Sequence, residues 1–172
     1  MIPRLVEKII VEKLKTVHKI ILILGARQVG KTTLINNIGE KFISQDKKVL
    51  YLNMDLEEDR SAFNTTSLTK LRQLVFGTDL LLVDEAQRLD NAGLTFKIIY
   101  DNFPNTKVVA TGSSSLDLKN KLSDPLTGRY IDFSLYPLSL SEIILSDKVS
   151  ENVAIQNEKT KNLLPQILLY GS

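Results

Sequence analysis

The chain of 172 residues contains no cysteine and no tryptophan, and only one histidine. Without cysteine there are no disulfides, cysteine-ligated zinc sites, iron–sulfur clusters or thiol nucleophiles. The single histidine, His18, stands just before the first expected strand, away from every other motif. A histidine-based triad is therefore not expected, and His18 reads as an exposed turn residue. Charge of one sign is also lacking. Twenty-two basic residues oppose twenty acidic ones, a net +2, too little to argue for a nucleic-acid partner. The basic residues near the start (Arg4, Lys8, Lys13, Lys15, Lys19) interleave with Glu7 and Glu12, as on a solvated helix face. No apolar run approaches the length needed to span a bilayer, and the N-terminus has no signal-peptide pattern. These absences lead us to expect a soluble, cytoplasmic protein with no membrane partner.

What is present centres on Gly25–Thr33, GARQVGKTT, which fits G-x-x-x-x-G-K-S/T. An apolar run, Ile20–Leu24, precedes it. Leu34, Ile35, Ile38 and Phe42 follow at helical spacing. This is the strand–loop–helix setting of a phosphate-binding loop. Glycines let the backbone turn tightly and approach an anion, and successive N–H groups then point at it from a helix N-terminus. Gly25, Ala26, Arg27, Gln28, Val29, Gly30, Lys31, Thr32 and Thr33 are the candidate nucleotide-binding residues. Lys31 would meet the outer phosphates, and the Thr32 hydroxyl would ligate Mg2+.

The rest of the chain alternates strands and helices. Helices are expected over Arg4–Thr16 (with Leu5, Ile9 and Leu14 inward), Lys31–Ser44, Thr66 or Ser67 to Phe76, and Asn91–Phe103. Strands are expected over Lys19–Leu24, Val49–Asn53, Asp79–Asp84, Lys107–Thr111 and Tyr130–Leu135. A short helix is expected over Leu116–Leu122, and a turn over Pro125–Arg129. Ser139 and Glu142 fit a capping box opening a helix to about Leu145. Such alternation implies a parallel sheet with helices on both faces, whose strand-end loops converge on one side. The domain reading is a core over 1–145, then a polar connector and the start of a truncated C-terminal region over 146–172.

The chemistry falls at those strand ends. LLLVD ends in Asp84 and Glu85. In a P-loop enzyme the acid ending such a strand shares the Mg2+ with the loop hydroxyl, which assigns Asp84 to metal beside Thr32. Glu85 would position and deprotonate a water. Ser113, past Thr111 and Gly112, is the candidate γ-phosphate sensor. Arg129 would meet charge building on the phosphoryl oxygens, or else form a structural ion pair with Asp132 or Glu142. Asp55, in the charged run after the second strand, is a weaker site candidate, the alternative being a solvated loop. No Asn-Lys-x-Asp segment for guanine is present, so the nucleotide expected is ATP with Mg2+.

With these residues in hand, the sequence resembles a prokaryotic family of AAA-type P-loop ATPases. These are uncharacterised ATP-binding proteins whose ATPase domain precedes a C-terminal domain of unknown function. The matching segments are GARQVGKTT, YLNMD, LLLVDEAQ, TGSSSLDL and LTGRYIDFSLYPLSLSE. The resemblance implies a three-layer αβα sandwich with a five-stranded sheet ordered 5-1-4-3-2. It repeats the roles above for Lys31, Thr32, Asp84, Glu85 and Ser113, and makes Arg129 the family-type arginine. It implies an ATPase acting as a motor or switch for an unknown protein partner, with DNA association by analogy alone. A dimer or ring would give Arg129 a neighbour to act on. A nucleotide-dependent binding module with negligible turnover is the second reading. A small-molecule kinase ranks last, for want of an arginine-rich lid.

Overall fold

The computed structural model describes residues 2, 4–113, 125–139, 142 and 143. The elements are α1 (Leu5–Thr16), β1 (Ile20–Gly25), α2 (Lys31–Ile43), β2 (Val49–Asn53), α3 (Glu57–Phe63) and α4 (Leu68–Val75). They continue with β3 (Leu80–Asp84), a 3-10 turn (Ala86–Arg88), α5 (Ala92–Asn102), β4 (Lys107–Ser113) and β5 (Tyr130–Ser134).

The five strands form one sheet in the order β2-β3-β4-β1-β5, every pair parallel. This is the 5-1-4-3-2 order expected. Burial follows the period-two geometry of strands. Ile20, Leu22 and Leu24 of β1 join a core with Phe63, Leu71, Val75, Phe96 and Ile99 from α3, α4 and α5. Ile21 and Ile23, on the other face, join Ile10 and Leu14 of α1 and Leu34, Ile35 and Ile38 of α2. A central strand covered on both faces needs no polar alternation, which is why β1 and β3 read as unbroken apolar runs.

Three expectations shift. Leu5 and Ile9 do not face inward; they are 52% and 50% exposed. Ile10 and Leu14 carry the buried stripe, one residue out of phase. The rotation buries Glu7, whose carboxylate pairs with Lys41 and accepts from Asn37 Nδ2 at 3.5 Å. The charged run after β2 is not only a loop, since Glu57–Phe63 forms α3 and buries Phe63 against Phe96. Three acids in its first turn suit the positive end of the helix. Finally, β4 continues through Gly112 to Ser113, because its last residues pair with Leu24 and Gly25 of β1. The helix expected over Leu116–Leu122 and the connector expected from Ser146 lie outside the described residues.

Ser139 and Glu142 form the capping box. The Glu142 N–H donates to Ser139 Oγ at 3.2 Å, and the Ser139 N–H donates to Glu142 Oε2 at 2.9 Å.

Candidate nucleotide site

β1 delivers the chain at Gly25 and α2 takes it up at Lys31. Between them the backbone turns through left-handed conformations at Gln28 (φ 66°) and Gly30 (φ 93°). Glycine adopts such a φ without Cβ strain. Gly25 is needed for another reason. A Cβ there would run into the Leu135 carbonyl oxygen and stand 3.0 Å from Val29 Cγ2.

Lys31 is only 5% exposed. Its ammonium donates to the Gly25 carbonyl at 3.1 Å and to the Ala26 carbonyl at 2.9 Å. The cation is thereby held beneath the turn, its burial offset by two acceptors.

Asp84 ends β3 and is 2% exposed. The Thr32 hydroxyl donates to its Oδ2 at 2.7 Å, and Tyr51 OH to the same oxygen at 3.1 Å. The Thr111 hydroxyl donates to Oδ1, and the Glu85 N–H reaches Oδ1 at 3.2 Å. A carboxylate this buried is stable only with such a set of donors. Burial pushes the Tyr51 phenol well above its ordinary value, with the nearby Asp84 carboxylate adding to the shift. Tyr51 therefore remains a donor at neutral pH.

Glu85 takes a left-handed conformation, φ 54° and ψ 42°. For a side-chain-bearing residue this costs about 1–2 kcal/mol. It is held there by its N–H, which donates to Thr111 Oγ1 at 3.0 Å, and by its carbonyl, which accepts from the Arg88 N–H at 3.0 Å. Ser113 is the register partner of Gly25, so it stands beside the start of the P-loop. The structure thus brings Lys31, Thr32, Asp84, Glu85 and Ser113 to one end of three adjacent strands.

Arg129 is not at that end. It precedes β5, and its carbonyl accepts from the Ile20 N–H at the start of β1. A β1 strand of six residues separates it from the loop; at ~3.3 Å per residue this is close to 20 Å. Its Nε donates to Asp101 Oδ1 at 3.1 Å, and its guanidinium lies over the Tyr100 ring, 5.7 Å from the centroid. The ion-pair partner is Asp101, on α5, because β5 starts beside the end of that helix. It is neither Asp132 nor Glu142 as expected. His18 also stacks on Tyr100, the ring centroids 4.5 Å apart. Asp55 is half exposed, with its Oδ1 accepting from Arg88 Nε at 2.9 Å.

Four contributors escaped the sequence reading. Thr111 and Tyr51 are placed by sheet register, and a single strand carries no signal for that. Arg4 donates to the Val29 carbonyl at 2.8 Å and to the Tyr136 carbonyl at 2.5 Å, and pairs with Glu142 at 3.1 Å. Burial raises the Glu142 carboxyl, but the N–H groups of Ser139 and Leu5 and the Arg4 guanidinium outweigh it and hold it below its ordinary value. Arg4, held by Glu142, lines a cleft of about 470 Å³ beside the P-loop, together with Ile2, Arg27, Gln28, Asn37, Pro137 and Leu138.

The comparisons with known proteins bear on this geometry. A family model described as an AAA domain matches residues 17–144. The chain belongs to that AAA-domain family. An uncharacterised protein of Methanocaldococcus jannaschii is 30% identical over 159 residues, covering 88% of this chain and 31% of its own. Among solved structures, AMPPCP-bound DnaA from Aquifex aeolicus aligns with TM-score 0.61 and 19% identity, over 96% of this chain and 60% of that one. DnaA bound to AMPPCP and single-stranded DNA aligns with TM-score 0.56 and 17% identity, over 97% and 60%. At such identities these structures establish a shared fold. The AAA domain spans about a third of the archaeal relative.

Among the described residues, no helix of this AAA domain is long and apolar enough to cross a membrane. Nor do three or more His, Cys, Asp or Glu side chains gather there as a metal site. The oxygens of Thr32 and Asp84, 2.7 Å apart, are nonetheless hard donors of the kind Mg2+ takes alongside phosphates and water.

Proposed function

We propose that this AAA domain binds Mg·ATP at the P-loop and hydrolyses it slowly, as a motor or switch for a protein partner. The contact between Thr32 Oγ1 and Asp84 Oδ2, at 2.7 Å, carries the reading. It joins the phosphate loop to the acid pair, as a bound triphosphate and its cation require.

The loop N–H groups and Lys31 would bind the phosphates. Thr32 and Asp84 would hold Mg2+, which when bound neutralises phosphate charge. Glu85 would orient the attacking water and take its proton. Ser113 would sense the terminal phosphate from the end of β4. The cleft between Arg4 and Pro137 is the open space beside the loop and suits the nucleoside. That DnaA is described with AMPPCP supports an adenine nucleotide here.

One observation favours the second reading, a nucleotide-dependent binding module with negligible turnover in the isolated chain. Arg129 lies at the far end of the sheet, so it cannot reach this chain's own phosphates. Any phosphate it meets would belong to the site of a neighbouring copy, reached by leaving Asp101, and full turnover would then need self-association. DNA association rests on the relative alone: a DnaA is described with single-stranded DNA.

ATP binding and phosphate release, measured on wild type and Lys31→Ala, test the proposal. Lys31→Ala is expected to weaken ATP by roughly 100-fold, the loss of a charge-assisted contact of about 3 kcal/mol. Unchanged affinity would remove the P-loop from nucleotide binding. Tight binding with no release in a single turnover would leave the binding module.

A further inference from the structure

The geometry points to Gln87 as the residue that positions Glu85 for catalysis, by tying its carboxylate to the end of β4. This rests on the hydrolytic reading above and adds a residue to it.

The Gln87 amide bridges Glu85 and Ser113. Its Nε2 donates to Glu85 Oε2, and its Oε1 accepts from the Ser113 N–H at 3.3 Å. A backbone N–H can only donate, and an ionised carboxylate can only accept. A bridge between them needs one acceptor and one donor on the same short side chain. An amide supplies both, and the Ser113 N–H fixes which way round it sits. Glutamate lacks the donor, and methionine lacks a strong member of either kind.

The backbone explains why Gln87 is within reach. Glu85 is left-handed, and the 3-10 turn over Ala86–Arg88 folds the chain back over it. Ala86 and Leu89 are fully buried and anchor both sides of Gln87 to the core. The Leu89 N–H donates to the Ala86 carbonyl at 3.1 Å. The turn is therefore fixed, and the amide has a fixed origin from which to hold Glu85. Engaging Oε2 leaves the second carboxylate oxygen to accept a proton from water. The other end of the bridge rests on Ser113, the register partner of Gly25 at the start of the P-loop. Gln87 thereby fixes the spacing between the base and the strand end beside the phosphates.

A general base displaced by about 1 Å loses up to roughly 100-fold in rate. Gln87→Met keeps the size of the side chain, and Gln87→Glu keeps its shape without the donor. Both are expected to lower single-turnover phosphate release by ~10- to 100-fold, with the Kd for Mg·ATP and the thermal midpoint unchanged. Added to Glu85→Gln, Gln87→Met is expected to cause no further loss, because Gln87 acts through that carboxylate. Wild-type rates in both single variants would overturn the inference. So would a parallel loss of affinity or of thermal stability, which would mark a structural role, or a full additional loss in the double variant. Absence of phosphate release from wild type itself would instead sink the hydrolytic reading, and the assignment of Gln87 with it.

Discussion

The Thr32 hydroxyl and the Asp84 carboxylate stand 52 positions apart in the chain and 2.7 Å apart in the structure. The contact is a product of sheet order. β1 and β3 are separated by one strand, β4, and all three end on the same side. The hydroxyl begins a helix and the carboxylate ends a strand, so neither can move without its element. β4 fills the space between with Thr111, which bonds to Asp84 from below.

Thr111 is expected to matter more than its type suggests. Its hydroxyl donates to Asp84 Oδ1 and accepts from the Glu85 N–H, and it is fully buried. Thr111→Val keeps the shape and strips both partners. We expect a loss of about 1–3 kcal/mol in stability, read from denaturant midpoints, and slower phosphate release. Wild-type stability with wild-type turnover would show that the hydroxyl organises nothing.

Gly25→Ala tests the P-loop backbone. The added methyl meets the Leu135 carbonyl oxygen, a backbone atom fixed by the Leu135 N–H bond to the Leu24 carbonyl at 2.6 Å. Neither side can yield cheaply. The expected cost is about 1–3 kcal/mol with impaired ATP binding, measured by thermal melts and titration. A melt and affinity equal to wild type would mean that β1 and the chain after β5 are looser than described.

The Arg4–Glu142 contact predicts a pH dependence. The Glu142 carboxyl is held below its ordinary 4.5 despite its burial, by the N–H groups of Ser139 and Leu5 and by Arg4. A depressed folded-state pKa means that the folded state binds the proton less readily than the unfolded one. Its contribution is therefore complete above about pH 4.5 and is lost as pH falls through the folded value. Denaturant midpoints measured across this acid range should fall more steeply for wild type than for Glu142→Gln. Parallel curves would show that the pair contributes nothing through this carboxylate.

Much of this was legible in the sequence, for identifiable reasons. Ile20–Leu24, GARQVGKTT and LLLVDE are local patterns whose chemistry depends on few neighbours. The capping box at Ser139 and Glu142 is likewise local. Phase and register were not legible. The faces Leu5/Ile9 and Val6/Ile10/Leu14 both satisfy helical spacing, and only packing against α2 selects the second. Tyr51 and Thr111 reach Asp84 through strand neighbours far away in sequence. Arg129 follows a glycine in a turn, which gives its chemistry and not its end of the sheet. Its position beside Asp101 emerges only once β5 is laid against the start of β1.

The central claim is that the P-loop and the Asp84–Glu85 pair act on one triphosphate. The direct measurement is single-turnover phosphate release from Mg·ATP by wild type and Glu85→Gln, with ATP affinity measured on the same samples. The account predicts matched affinities and a loss of about 100-fold or more in release for the variant. Equal release rates would contradict it.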